Sequence, residues 1–378
     1  MDNLKQYNLG LIFTQNVSLA KWSEVGMLER EVKPYNLLAK HFNRIYFFTY
    51  GNKTDLSFQD YLADNITIVP NKYEIRNKYY KYLLPFLNWK KIRECRVIKT
   101  NQIKGSEAAI TSKRYVNRRA RLLARSGYTW SLFAQRQGVS EAGLKPVKEL
   151  ESRLYRLADA AAVTSRADKK YIQTEYNIEP DNISVIPNYI DTESFQPNSD
   201  IQKYDNRIIF VGRLNTQKNL RVLIQALAGS GIQLDIIGSG EEKEGLESLA
   251  MQNSVTLSFL GNIPNNELPE KLAQYPLFVL PSLYEGMPKT LLEAMSCGLA
   301  CVGTDVPGIN EVITHEENGL LAQGDAKDLQ KQILRLANDQ DLRDRLGQAA
   351  RQFILDNYSL DTQIEKEIQI YEKLLEKN

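Results

Sequence analysis

The sequence predicts an α/β protein of two doubly wound domains that face each other across a cleft. Three observations carry this expectation. Apolar runs alternate with helical patterns along most of the chain, as they do where helices cover both faces of a parallel sheet. The segment Pro187–Tyr204, rich in Asn, Pro, Asp and Ser, breaks the alternation midway and reads as a linker. The 378 residues, at about 150 per domain, leave room for two cores.

The elements follow in order. Asn8–Thr14 reads as a first strand, Met27–His41 as a helix and Arg44–Thr49 as a second strand. Further strands fit at Ile66–Val69, Arg96–Thr100, Ala158–Thr164 and Ile183–Ile186. Past the linker, Asn206–Gly212 is an apolar run closed by glycine, the mark of a buried strand. A helix over Asn219–Leu227, a strand at Leu234–Gly238 and a helix near Glu241–Met251 come next, then the strand Val255–Gly261. A helix near Asn266–Gln274, the strand Leu277–Leu280, a helix near Lys289–Cys297 and the strand Ala300–Gly303 continue the pattern. Another short helix is expected before a last strand at Asn318–Ala322. The tail Leu360–Leu375 carries Ile364, Ile368, Tyr371 and Leu375 at helical spacing and reads as a closing helix. The expected domains are residues 1–190 and 191–358, with 359–378 returning toward the first. Two such sheets bind ligands outside the carboxyl ends of their strands.

Composition narrows the class. Hydrophobic residues make up 43% and charged residues 25%, ordinary values for a soluble globular chain, which excludes collagen-like and low-complexity classes. Three cysteines (Cys95, Cys297 and Cys301) build no disulfide framework and suit a reducing compartment. Two histidines, His41 and His315, exclude chemistry built on several. No apolar run reaches the roughly 18–20 residues of a membrane span, and the first residues lack a signal-peptide pattern. A cytoplasmic location is expected.

Charge is uneven. Between Asn71 and Arg136 stand 17 Lys and Arg against Glu74, Glu94 and Glu107, which gives +14 and leaves 2 − 14 = −12 for the rest. Tyr73, Tyr79, Tyr80, Tyr82, Phe86 and Trp89 are interleaved with these charges. Basic residues among aromatics suit an anionic membrane surface, here the inner face. A solvated face and nucleic-acid binding are the alternatives that charge alone leaves open.

The sharpest chemical signal is Tyr284–Gly298, YEGMPKTLLEAMSCG, directly after the strand run LFVLPS. Gly286 permits close approach of backbone to a ligand, Pro288 suits a first helical turn, and free amides at the helix start favour an anion or hydroxyls. Glu285 lies before the helix and Glu293 one turn inside it, so both carboxylates can face a cleft. The spacing fits equally an acid answering the helix dipole plus a surface glutamate.

At this stretch the chain resembles the retaining group 1 glycosyltransferases of family 4, which have the GT-B fold of two Rossmann-like domains. Glu285 and Glu293, with seven residues between them, look like that family's E-x7-E motif. EGMPKTLLEAMSCG, GTDVPGINEVI and HEENGLL are similar to its donor site, FVGRLNTQKNL to its phosphate-binding stretch and SVIPNYIDTESFQP to its interdomain segment. ADAAAVTSRADKKY resembles its last amino-terminal βα unit. The likeness is strong from Leu157 to Gly324 and weak before.

The resemblance implies roles. Arg213 and Lys218, with Gly212 beside them, would meet the donor's diphosphate and balance the leaving group. Glu285 would support the donor sugar and Glu293 the ribose hydroxyls, with Gly286, Met287, Pro288, Lys289 and Thr290 around them. Gly238 and Gly240 would let backbone approach the donor, and Asn262 and Ile263 lie where the family holds the base, largely through backbone. The donor implied is a nucleoside diphosphate sugar, a UDP-sugar before a GDP-sugar, and the acceptor a saccharide or lipid-linked saccharide in cell-surface polysaccharide synthesis. Neither a metal nor another cofactor is implied, and no nucleic acid. Two basic residues near a strand end are otherwise plain surface charge.

Other features count for less. Gly238–Gly240 is followed at the third position by Lys243, not by the glycine of a dinucleotide fingerprint. His315 reads as a surface residue, Cys297 and Cys301 as buried thiols, and the D-x-D at Asp339–Asp341 as a helix cap. The first half departs from the family. QNVSLAKWSEVGM offers only Gly26 where many members have paired glycines, and Asn101 and Gln102 stand where many have histidine. The rivals are a sugar-nucleotide epimerase on the same fold, a non-catalytic subunit that binds a sugar nucleotide, and a basic nucleic-acid-binding protein.

Overall fold

The computed structural model describes residues 4–376. Among these residues thirteen strands form two parallel sheets. The first contains β1 (Asn8–Ile12), β2 (Arg44–Phe48), β3 (Ile66–Val69), β4 (Cys95–Thr100), β5 (Arg121–Arg125), β6 (Ala160–Val163) and β7 (Ile183–Val185), in the spatial order β3-β2-β1-β4-β5-β6-β7. The second contains β8 (Arg207–Val211), β9 (Gln233–Ile237), β10 (Leu257–Gly261), β11 (Leu277–Leu280), β12 (Ala300–Thr304) and β13 (Leu320–Ala322), in the order β10-β9-β8-β11-β12-β13. Every strand pair is parallel. Both are doubly wound Rossmann-like sheets, as expected. The chain starts in the middle, builds one wing, then returns to build the other.

The chain divides into two compact units. One comprises the residues up to Pro187 together with those from Ile364 onward, and the other is Asn188–Gln363. Burial explains why these strands form. β11 and β12 are buried at every residue, as central strands covered on both faces must be. Around them Leu291, Leu292, Met295, Ile309, Ile333 and Leu346 close the core of the second unit.

Two helices of the second unit begin where an aspartate side chain satisfies free amides. Asp325 Oδ1 accepts from the amides of Lys327 and Asp328 at 2.9 Å, starting Ala326–Asn338. Asp339 Oδ1 accepts from Leu342 N at 2.9 Å, starting Gln340–Tyr358, so the D-x-D opens a helix. Arg351 of that helix donates to the carbonyls of Phe195, Ser296 and Thr192 and so fastens the linker segment to this unit.

In the first unit, Lys99 on β4 pairs with Glu367 of the helix Leu360–Glu376, and Tyr371 donates to the same carboxylate. Both members of the ion pair are buried, at 3% and 8% exposure. Phe42 packs edge-on against the Tyr371 ring at 5.2 Å.

Three expectations are corrected. The residues between β12 and β13 form turns, not a short helix, because Pro307 and Gly308 with φ +89° interrupt any helical run. The strand β5 is absent from the expected set. Its three buried residues Leu122, Leu123 and Ala124 lie between arginines, so it reads as part of the basic segment. Tyr80 and Lys81 are not surface residues: Tyr80 is buried, and Lys81 donates to Glu107 Oε1 at 2.5 Å with an 18% exposed side chain. Burial alone would lower the Lys81 ammonium, but the adjoining Glu107 carboxylate holds it above its ordinary range.

Candidate functional site

In an open parallel sheet the ligand crevice lies outside the carboxyl ends of the two strands between which the chain reverses direction. In the second sheet those strands are β8 and β11. The loop after β8 carries Gly212, Arg213 and Lys218, and the loop after β11 carries Ser282, Glu285, Gly286 and Met287. Sequence distance is large, but topology puts the two loops side by side.

Hydrogen bonds join them. Lys218 Nζ lies 2.5 Å from Glu285 Oε1, and the two side chains are only 11% and 7% exposed. Ser282 Oγ donates to the same oxygen at 2.6 Å. Gln217 Nε2 donates to the Tyr284 carbonyl at 2.9 Å and lies 3.5 Å from Glu285 Oε2. The Leu283 amide donates to the Gln217 carbonyl at 2.9 Å, and the Glu285 amide to Pro307 at 3.3 Å. A buried carboxylate is thus held from three sides, the condition under which a charge survives away from water.

Glu293 stands in the helix Lys289–Ser296 and is 3% exposed. Asn265 Nδ2 donates to its Oε1 at 3.4 Å, which ties it to the loop after β10 that also carries Asn262 and Ile263. Asn262 is exposed and Ile263 is half-buried against the core. Arg213 is exposed, and among the described residues its guanidinium forms no ion pair. Lys289 Nζ lies 5.4 Å from the centroid of the Tyr189 ring, and Asn188 Nδ2 donates to the Met287 carbonyl at 2.9 Å. Pro288 precedes the first helical residue and Thr290 is half-buried.

The glycines divide by what surrounds them. A Cβ at Gly238, where φ is +137°, would fall 1.9 Å from the Gly212 carbonyl oxygen. One at Gly240 would fall 2.2 Å from the Leu214 carbonyl oxygen. The loop after β9 therefore rests on the loop after β8, and the chain's own backbone requires these two glycines. A Cβ at Gly286 would meet nothing within 4 Å. Packing within the protein does not account for that glycine.

Sequence reasoning missed Gln217, Ser282, Asn265 and Gly308. A Cβ at Gly308 would lie 2.4 Å from the Gly286 carbonyl oxygen and 2.7 Å from that of Glu285, so this glycine admits the Glu285 loop. The signal for Gln217 was its place beside Lys218, and Gly308 lies within the GTDVPGINEVI stretch; nothing in the sequence marked Ser282 or Asn265. His315 is exposed, its Nδ1 accepting from the Leu321 amide at 2.9 Å. Cys297 is buried, and burial pushes its thiol up to about 12, far from reactive.

The fold and site define a GT-B type of protein, and comparison with known proteins makes the family specific. The sequence pattern described as "Glycosyltransferase Family 4" matches residues 38–194, and that described as "Glycosyl transferases group 1" matches residues 191–353. The chain belongs to the group 1 glycosyltransferases of family 4. The UDP-Gal:alpha-D-GlcNAc-diphosphoundecaprenol alpha-1,3-galactosyltransferase of Escherichia coli is 31% identical over 227 residues, 54% of this chain and 57% of that protein. The chain spans about half the length of the curated relatives it matches. Two solved structures share the fold. A sucrose-phosphate synthase from Thermosynechococcus elongatus superimposes with TM-score 0.77 at 19% identity, covering 98% of this chain and 100% of that one. HepE from Anabaena, in complex with UDP and glucose, does so with TM-score 0.75 at 16% identity, covering 97% and 100%.

Proposed function

We propose that this chain is a retaining, metal-independent glycosyltransferase. It moves a sugar from a nucleoside diphosphate sugar to a saccharide acceptor carried on a lipid, in the building of a cell-surface polysaccharide. The observation that carries this reading is the Lys218–Glu285 pair at the reversal point of the second sheet. In this reading residues 191–358 bind the donor and residues 1–190 the acceptor, with 359–378 returning to the first domain. The donor is a UDP-sugar, and a GDP-sugar is the alternative. The Anabaena protein of the same fold, solved with UDP and glucose bound, supports this choice. The Escherichia coli relative, which acts on a diphosphoundecaprenol-linked sugar, supports the lipid-linked acceptor. The protein works at the inner face of the membrane, held peripherally; among the described residues no helix is long and apolar enough to cross one.

Each residue then has a task. As the bond from the sugar to the diphosphate breaks, negative charge grows on the departing phosphate. Lys218 and Arg213 answer that charge, and stabilisation that grows along the reaction is the part that speeds it. Glu285, held by Lys218 and Ser282, orients the sugar, and Glu293 accepts from the ribose hydroxyls. Gly286 admits the donor beside its backbone, and Met287, Pro288, Lys289 and Thr290 present the start of the helix to it. Gly212, Gly238 and Gly240 shape the floor, with Asn262 and Ile263 beside the base.

The test is a thermal-shift series with UDP, GDP and their sugars, since a ligand that binds only the folded chain raises its Tm. Transfer from the best donor to a polyprenol-diphosphate-linked sugar is then followed with and without EDTA. Stabilisation by a UDP-sugar and EDTA-resistant product are expected. No stabilisation by any nucleoside diphosphate would overturn the reading.

A further inference from the structure

The helix Asn77–Leu87 has two apolar faces. Tyr80 and Leu84, one turn apart, are buried against the first unit. The other face carries Tyr79, Tyr82, Leu83, Phe86 and Leu87, at the i, i+3, i+4, i+7 spacing of a continuous stripe. All five are exposed, Tyr79 by 54% and Phe86 by 50%. Trp89, which opens the short helix Trp89–Glu94, is 47% exposed and extends the stripe. Contiguous bulky apolar residues on a surface mark a contact site, whereas single ones do not.

Charge surrounds the stripe. Between Lys72 and Glu94 seven Lys and Arg stand against two Glu, which gives 7 − 2 = +5. Lys72, Arg76, Lys78, Lys90 and Arg93 are exposed. Lys78 Nζ lies 4.8 Å from the Tyr79 ring centroid, and the Arg93 guanidinium lies 5.6 Å from the Trp89 ring. Cations thus stand directly beside the aromatic rings. Lys81 is not among them, since Glu107 holds it.

We propose that the face formed by Asn77–Leu87 and Trp89–Glu94 docks on an anionic lipid surface, its rings entering the interface and its cations meeting the headgroups. Charge complementarity selects this occupant. A second copy of the chain would bring its own positive charge to the same face, whereas anionic headgroups neutralise it. An apolar stripe flanked by Lys and Arg is the design of a helix lying in the interface plane. Position agrees with it. Asn77 Nδ2 donates to Asn16 Oδ1 at 3.0 Å, and Lys81 pairs with Glu107, so the helix is anchored to the segments that follow β1 and β4. Those segments stand at the carboxyl ends of the first sheet, where an acceptor is expected. Such docking deepens the function proposed above, on whose membrane-borne acceptor it rests.

The experiment measures co-sedimentation of the full chain with vesicles of phosphatidylglycerol and phosphatidylcholine, or of phosphatidylcholine alone, at 0.1 M and 1 M salt. Two variants are compared, Lys78→Ser/Lys90→Ser/Arg93→Ser and Tyr79→Ser/Phe86→Ser/Trp89→Ser. Binding to the anionic vesicles at low salt is expected. Each lost cation should weaken it about five-fold, so the first variant should fall on the order of 100-fold. The second variant should lose the binding that survives 1 M salt, where electrostatic attraction is screened. In both, stabilisation by UDP should be unchanged, because the substitutions lie outside the second unit; this separates failure of docking from failure of the proposed function. Wild-type chain that does not favour anionic vesicles at low salt would overturn the proposal. So would a dimer in sedimentation velocity that the second variant dissociates while vesicle binding persists.

Discussion

Lys218 and Glu285, 67 positions apart in sequence, meet with Nζ 2.5 Å from Oε1 in a place almost closed to water. The contact joins the end of β8 to the end of β11 across the reversal point of the second sheet. Breaking such a pair from one side leaves a buried charge unanswered.

Lys218→Met and Glu285→Gln should therefore each lower stability, Lys218→Met by about 3–5 kcal/mol because it strands the carboxylate. The double variant should cost less than the sum, with a coupling of about 0.5–3 kcal/mol. Urea unfolding of the four chains measures the cycle. Strict additivity would show that the pair contributes nothing as a pair.

Glu293→Gln should weaken nucleoside diphosphate binding, by about 1.5–3 kcal/mol if its carboxylate accepts from the ligand. Glu285→Gln should act mainly on turnover. Calorimetry with UDP beside steady-state kinetics separates the two effects. Equal losses of affinity in both variants would contradict the assigned roles.

Gly308 and Gly286 make a contrasting pair. Gly308→Ala places a Cβ 2.4 Å from a carbonyl oxygen at φ +89°, and should cost about 1–3 kcal/mol while displacing the Glu285 loop. Gly286→Ala meets open space and should leave stability within about 0.5 kcal/mol while reducing donor affinity. Thermal melts and UDP titration of both variants check this. A Gly286→Ala chain with unaltered donor binding would remove that backbone from the site.

The Lys99–Glu367 pair predicts a pH response. Burial alone would raise the Glu367 carboxyl, but Lys99 and Tyr371 outweigh it and hold it below the ordinary 4.5. A carboxyl depressed by folding adds stability that is complete above its unfolded value and is lost as pH falls through its folded one. Acid unfolding of the parent should therefore steepen below about pH 4.5, and Glu367→Gln should flatten that limb. Burial lowers the Lys99 ammonium despite its partner, so its own effect lies at alkaline pH, where stability rises toward the ordinary lysine value of 10.5. Melts from pH 3 to 7 would settle the acid limb, and identical profiles for parent and variant would refute it.

The sequence was most legible where one physical signal acted alone. The runs at Leu277–Leu280 and Ile66–Val69 are apolar or β-branched throughout, and their expected and observed limits agree. The arginines around Leu122–Ala124 hid β5, because charge at both ends masks a three-residue core. The helix Asn77–Leu87 escaped notice for the opposite reason: with apolar residues on two faces it has no single-face period. At the site, the residue types Lys218, Glu285 and Glu293 were readable, but their partners were not. Contacts such as Ser282 to Glu285 and Asn265 to Glu293 depend on where loops end in space, which spacing does not encode. The glycines at 238 and 240 suggest a ligand in the sequence, whereas their immediate neighbours are the carbonyls of Gly212 and Leu214.

The Lys218–Glu285 contact has a consequence for selectivity. A lone lysine at a strand end attracts any passing phosphate. Here its charge is already cancelled at 2.5 Å, so an incoming monoanion gains little field. To draw the lysine away, a ligand must offer more negative charge than the carboxylate it replaces, and must give the released carboxylate a donor in exchange. A diphosphate joined to a polyhydroxylated ring brings both. Inorganic phosphate, abundant in any cell, brings less charge than a diphosphate and no ring of hydroxyls to reach the carboxylate while its oxygens meet the lysine, so it should compete poorly for this place.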